Sequence, residues 1–262
     1  MKSALAGLTL LMLAACAGVG MAPIVGSAQR PVSELPTTTD AQAAAKIHVE
    51  LGTAYFQAQR FGVALDEARL AQSIDPGYAP TYHLLGQVYM FLEDPASARR
   101  SFEQAARLAP GDPEINNSYG WFLCAMGEEK QGLERLAAVV HNPYYRTPTR
   151  PYTNAGLCHL RLGDDAAAQD QFVRAAEADP KNALARYQLA AIAYRRGAVE
   201  AARHYLAEVH ELADPTPDSL WLGIRIERRA GNRDNEQAYA AQLRSRFPTS
   251  REYENYSKGQ FE

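Results

Sequence analysis

Metal, phosphate and thiol chemistry each need particular side chains at particular spacings, so they are the first possibilities this sequence raises. Its six histidines are His48, His83, His141, His159, His204 and His210. A zinc hydrolase helix carries two histidines one turn apart with a glutamate between them, and no HExxH occurs. His204 and His210 are six apart, which puts them on different faces of a helix. No glycine-rich phosphate loop, nucleophile elbow or CxxC is present. The sequence proposes no metal, no cofactor and no catalysis, and function must come from binding surfaces. Of its three cysteines, Cys124 and Cys158 lie 34 residues apart in the middle of the chain, and Cys16 ends a segment of different character.

That segment begins with a single charge, Lys2, continues as a mostly apolar run from Ala4 to Ala15, and closes with Leu13-Ala14-Ala15-Cys16. The run is too short for an ordinary transmembrane helix and reads as a cleaved signal over residues 1–15. LAAC resembles the lipobox of bacterial lipoproteins, which implies cleavage before Cys16 and lipid attachment there; an ordinary secretory signal is the alternative. Ala17 stands where an inner-membrane-retained lipoprotein commonly has aspartate, so the resemblance favours the outer membrane, facing the periplasm. Residues 16–39, rich in Gly, Ala, Pro, Ser and Thr, read as the lipidated cysteine and a flexible tether. Loss of Lys2 with the signal takes the formal charge from −3 to −4, which offers no basic surface to nucleic acid.

The elements that must position any binding residue are visible as a repeat. Glycine or a substitute recurs at Gly52, Gly86, Gly120, Gly156, Ala190 and Ile224, at intervals of 34, 34, 36, 34 and 34. Counting 34-residue units from Ala79, this is the eighth place; the eleventh holds Tyr55 and Tyr89, the twentieth Ala64, Ala98, Ala168 and Ala202, the thirty-second Pro76, Pro110, Pro180 and Pro248. That spacing is the tetratricopeptide pattern, two antiparallel helices brought close by small residues, with larger apolar ones filling around the contact. One such hairpin cannot cover its own apolar face and needs neighbours. The expected fold is all-α: a right-handed superhelical solenoid over residues 40–250, of six repeats at about 45–78, 79–112, 113–148, 149–182, 183–216 and 217–250, then a polar tail, 251–262, that adds a short cap. Gly127, Gly163, Gly197 and Gly231 mark the turns inside units three to six. The two extra residues lie in HNPYYRTPTRP, where Pro143, Pro148 and Pro151 make a stiff spacer between units three and four, a contact site being the alternative.

First helices of such units line the inner face at the second, fifth, ninth, twelfth and thirteenth places. These are occupied by Val49, Phe56, His83, Met90, Phe91, Asn117, Trp121, Leu157, Leu160, Tyr187, Tyr194 and Trp221, a groove for a peptide or helix, with Phe56 and Leu160 leaning toward the core. The thirteenth place is also Arg161, Arg195 and Arg229, a ladder that suits an acidic partner or else caps helix ends. Cys124 and Cys158 occupy the twelfth and tenth places of adjacent units. Because those places differ, buried free thiols are the preferred reading, with a disulfide as the alternative.

At units three and four the sequence is more particular than a repeat consensus. NNSYGWFLCAMG (Asn116–Gly127), NPYYRTPTRPYTNAGLCHLRLGD (Asn142–Asp164) and FVRAAEADP (Phe172–Pro180) resemble the type IV pilus biogenesis/stability lipoprotein family of PilF and PilW. The likeness extends to the lipobox, six repeats and overall length. It implies a pilotin, an outer-membrane lipoprotein that helps the secretin PilQ assemble into the pore used by the pilus. Asn117 and Trp121, then Arg161 and Tyr187, are the first expected contacts, with Leu157, Tyr194, Arg195, Trp221 and Arg229 beside them. Two other readings stay open: a different periplasmic assembly lipoprotein, such as a barrel-assembly component, and a scaffold for a cell-wall enzyme.

Overall fold

A computed structural model describes residues 27–261. The expected signal segment, Cys16 and the tether up to residue 26 lie outside the described residues. Among those described there is no strand: twelve helices pair into six hairpins and a thirteenth closes the end. The hairpins are α1 (Asp40–Gln57) with α2 (Phe61–Ile74), α3 (Ala79–Phe91) with α4 (Pro95–Leu108), α5 (Pro113–Ala125) with α6 (Glu129–Val140), α7 (Thr149–Arg161) with α8 (Asp165–Ala178), α9 (Ala183–Arg195) with α10 (Val199–Leu212), and α11 (Pro217–Ala230) with α12 (Arg233–Arg246). α13 (Arg251–Ser257) is the cap read in the polar tail.

Local chemistry sets the helix boundaries. Side chains of Thr39, Asp94, Asp112, Asp164, Asn182, Thr216 and Asn232 accept the first free N–H groups of the helices they precede, and Pro95, Pro113 and Pro217 stand where a missing N–H does no harm. Inside each hairpin the turn is left-handed. Gly127, Gly163, Gly197 and Gly231 have φ of 83°, 72°, 77° and 73°; units one and two force Gln59 and Glu93 into the same region at φ 58°. The turn is thus shared by all six units, and in two of them a side chain bears the steric load.

Packing follows a volume exchange between the two helices of a unit. A Cβ on Gly86 would lie 2.8 Å from the Phe102 ring, and one on Gly156 would lie 2.7 Å from Phe172. Unit five uses Ala190 with Leu206 in one core cluster, and unit six inverts the scheme with Ile224 against Ala240. Ile224 departs from the repeat pattern, yet the pair keeps its combined volume and the interior stays filled.

Three expectations need correction. Cys124 and Cys158 are disulfide-bonded, with Cα atoms 5.4 Å apart. The difference in their places is what permits the bond. Parallel first helices of neighbouring units face each other with opposite sides, so residues at one place point the same way and never meet. A two-residue offset turns a side chain by about 200° and aims it back at the previous unit.

The tether is also not free along its whole predicted length. Residues Val32–Glu34 form a 3-10 turn, and the segment is fastened to the edge where units two, three and four join. Val32 N–H donates to the Asp112 carboxylate (2.7 Å), Gln29 N–H to the Gly111 carbonyl (3.3 Å), and the Asn142 side chain to the Gln29 carbonyl (2.9 Å). The proline-bearing loop is therefore a contact site for the chain's own N-terminal segment rather than a plain spacer. Asp112 is buried while it caps α5, and burial raises its carboxyl above the usual range against the pull of those N–H donors.

Candidate protein-binding groove

The first helices of units one to five, α1, α3, α5, α7 and α9, follow one another along the inner face. Between them lie two depressions of about 460 and 610 Å³ that share Phe56, Gln87 and Arg150 and so form one continuous groove. One wall is apolar. Met90, Phe91, Trp121 and Leu184 line it, and Phe91 remains 59% exposed. Phe56, Phe61 and Phe91 form an aromatic trio with ring centroids 5.0 to 5.5 Å apart.

The floor is amide and hydroxyl. Asn154 donates to the Asn117 side-chain oxygen (3.0 Å), and Asn182 donates to the hydroxyls of Thr149 (2.8 Å) and Thr153 (2.9 Å). His83 Nε2 lies 2.8 Å from the Ser118 hydroxyl. Arg150 forms an ion pair with Glu114 at 3.0 Å. Burial pushes the Glu114 carboxyl up while Arg150 pulls it back, and burial with the nearby Arg150 charge lowers His83 to about 4. At neutral pH the groove presents a neutral imidazole and one compensated ion pair, with the exposed Glu50 on its α1 rim. Apolar wall and amide floor together suit an extended segment whose side chains enter the wall while its backbone meets amides.

Of the residues anticipated from sequence, Asn117 and Trp121 lie in this groove, along with His83, Met90, Phe91, Phe56 and Val49. Leu157 and Leu160 pack against the α8–α9 core, and Tyr187 and Tyr194 against the α9–α11 core, outside the two depressions. Trp221 is 7% exposed because Phe261 of the tail stacks on it at 5.5 Å. The tail has folded onto the site anticipated for a partner.

The arginine ladder is engaged within the chain. Arg161 donates to the Ala125 carbonyl (3.1 Å) at the end of α5, and Arg229 to the Tyr194 carbonyl (2.7 Å) at the end of α9, with its guanidinium over the Tyr194 ring. Arg195 holds Asp165 through two contacts of 2.9 and 2.6 Å. Each arginine ties its unit to the preceding one: Arg161 and Arg229 meet the carbonyl end of a helix, as the helix-end alternative has it, whereas Arg195 pairs with a carboxylate of its own chain. Gln87, Arg150 and Thr153, which the sequence reading does not single out, occupy the same inner-face places of units two and four, the ninth, second and fifth. Phe61 opens a second helix, where no inner-face rule points.

Models of the tetratricopeptide repeat match residues 79–112 and 153–218. The type IV pilus assembly protein PilF of Pseudomonas aeruginosa is 25% identical over 91% of this chain and 94% of its own. Among solved structures, PilW, described as a widely conserved type IV pilus biogenesis factor, superposes with a TM-score of 0.77 at 26% identity, covering 84% of this chain and all of its own. A structure of Pseudomonas aeruginosa PilF gives 0.75 at 24% identity with the same coverage. The described residues fold as a tetratricopeptide-type solenoid, the fold of the type IV pilus factors PilF and PilW.

Proposed function

We propose that this protein is a non-catalytic scaffold of type IV pilus biogenesis, a pilotin held in the outer membrane by lipid on Cys16 and facing the periplasm. Its client is a segment of the secretin PilQ, bound in the groove of units one to four. The observation that carries the reading is the groove itself: exposed aromatic and aliphatic side chains stand over an amide floor on the inner face of a fold shared with PilF and PilW. Similarity to PilF over nearly the whole chain supports the pilus assignment. The Cys124–Cys158 disulfide agrees with an oxidising compartment. Binding without chemistry suffices, because an anchored scaffold raises the concentration of its bound client beside the membrane.

The test is the state of the secretin in cells deleted for this protein and complemented with groove variants, read as heat-stable multimer on gels. Deletion should remove the multimer while monomer persists. Phe91→Glu or Trp121→Ala should reproduce that loss with the variant protein at normal abundance. A normal multimer in the deletion strain would remove the pilotin reading.

A further inference from the structure

The N-terminal segment does more than join an anchor to α1. It crosses the edge of the solenoid that carries the linkers between units, and it is pinned there at Gly111 and Asn142, midway along the molecule. The fit is built in: a Cβ at Gly111 would fall 1.8 Å from the Ser27 carbonyl oxygen, so only glycine lets the strap seat. Beside it, the Arg30 guanidinium lies over the Tyr144 ring at 5.3 Å. Arg146 and Pro143 share their depression, with Glu34 as the one acidic member, and Tyr144 is 44% exposed. The opposite edge carries the turns inside the units, about 20 Å away across one helix length.

We propose that the strap edge is apposed to the membrane, with Arg30, Tyr144 and Arg146 among phospholipid headgroups. The inference rests on the Cys16 anchor proposed above. From Cys16 to Ser27 the chain reaches at most about 40 Å, against roughly 80 Å if nothing docked before Thr39. The strap therefore shortens the leash and fixes which edge it leaves from. The chemistry of that edge fits: arginine pairs with phosphate through a planar fork, and tyrosine favours the boundary between water and acyl chains. Held this way, the solenoid lies with its groove opening sideways, along the membrane surface.

The experiment uses full-length protein in cells, with photoreactive p-benzoyl-phenylalanine substituted for Tyr144 or, on the opposite edge, for Met126. Lipid adducts and palmitate incorporation are measured on the same samples. Adducts from position 144 should exceed those from 126 by about tenfold. Gly111→Ala, whose backbone is compatible with alanine, should unseat the strap and shrink that ratio toward one; Asn142→Ala should do so in part, which guards against a folding defect in the first variant. Equal lipid adducts from both edges, or adducts only to protein from position 144, in a palmitate-labelled chain would overturn the orientation. Absence of palmitate from the wild-type chain would overturn the anchor itself, and the two failures are distinct.

Discussion

Units one to four, with Leu184 at the start of unit five, and unit six are built on one repeat, yet they treat the inner face in opposite ways. In the first group the face is open, with Phe91, Trp121 and the asparagine floor lining a groove. In the last unit it is occupied from within: Phe261 stacks on Trp221, and Arg228 sits 3.7 Å from the centroid of the Phe261 ring. Units five and six also share Arg229, which spans to Tyr194 and uses the guanidinium a partner would need. The same place in a repeat can thus be a docking residue or a piece of core. What decides is whether more chain arrives to cover it: the C-terminal tail covers Trp221, while the N-terminal strap docks on the linker edge at Gly111, Asp112 and Asn142.

The largest expected effects come from breaking this contrast at its two poles. Trp221→Ala should cost about 3 kcal/mol of stability, as for other buried aromatic truncations, and leave secretin assembly intact at permissive temperature. Phe91→Ala should do the reverse, shifting urea midpoints little because the ring is already mostly exposed, while cutting multimer yield severalfold. Comparable stability losses from both would erase the distinction between the two ends.

Reduction of the disulfide comes next. With its cysteines 34 positions apart, the crosslink should contribute about 4 kcal/mol, seen as a lowered unfolding midpoint on adding reductant and absent in a Cys124→Ser, Cys158→Ser double variant. Acid should act on the open half through His83. Its folded value near 4 lies below the unfolded 6.5, so the unfolded chain binds more protons between those limits. Stability is full above about 6.5 and falls as pH drops toward 4, by on the order of 1–3 kcal/mol, and His83→Gln should flatten that slope. His210, also lowered by burial, contributes in the same direction from the closed half, while the raised carboxyls of Asp112 and Glu114 oppose it. The smallest effect is a gain: Glu93→Gly relieves a left-handed residue and should stabilise by about 1 kcal/mol, measurable as a higher midpoint in urea.

The repeat was legible because hairpin packing demands a small residue at one place in every unit, and Gly52, Gly86, Gly120 and Gly156 declare it. The turns and terminal cap were legible for similar local reasons. Asn117 and Trp121 could be placed in a groove because the inner-face rule depends only on helical phase. Trp221 could not be separated from them, since its burial depends on Phe261, 40 residues further on. The strap left no trace in the pattern either: Val32 meets Asp112 across 80 residues through a backbone N–H common to nearly every residue, and the accepting carboxylate already has a local role as the cap of α5. Arg161, Arg195 and Arg229 were visible as a series, but a series does not say whether its charges are spent inside the chain.

In a linear array where each unit touches only its neighbours, melting proceeds like the fraying of a rope, inward from the free ends. The Cys124–Cys158 bond is a whipping tied around the middle strands, at the junction where two extra residues interrupt the 34-residue step. Fraying that consumes unit six or unit one stops on reaching it. Trp121 lies three residues from the knot, so the heart of the groove stays formed longest. A scaffold exposed to mechanical load or to proteases thereby loses its ends before it loses the centre of its grip.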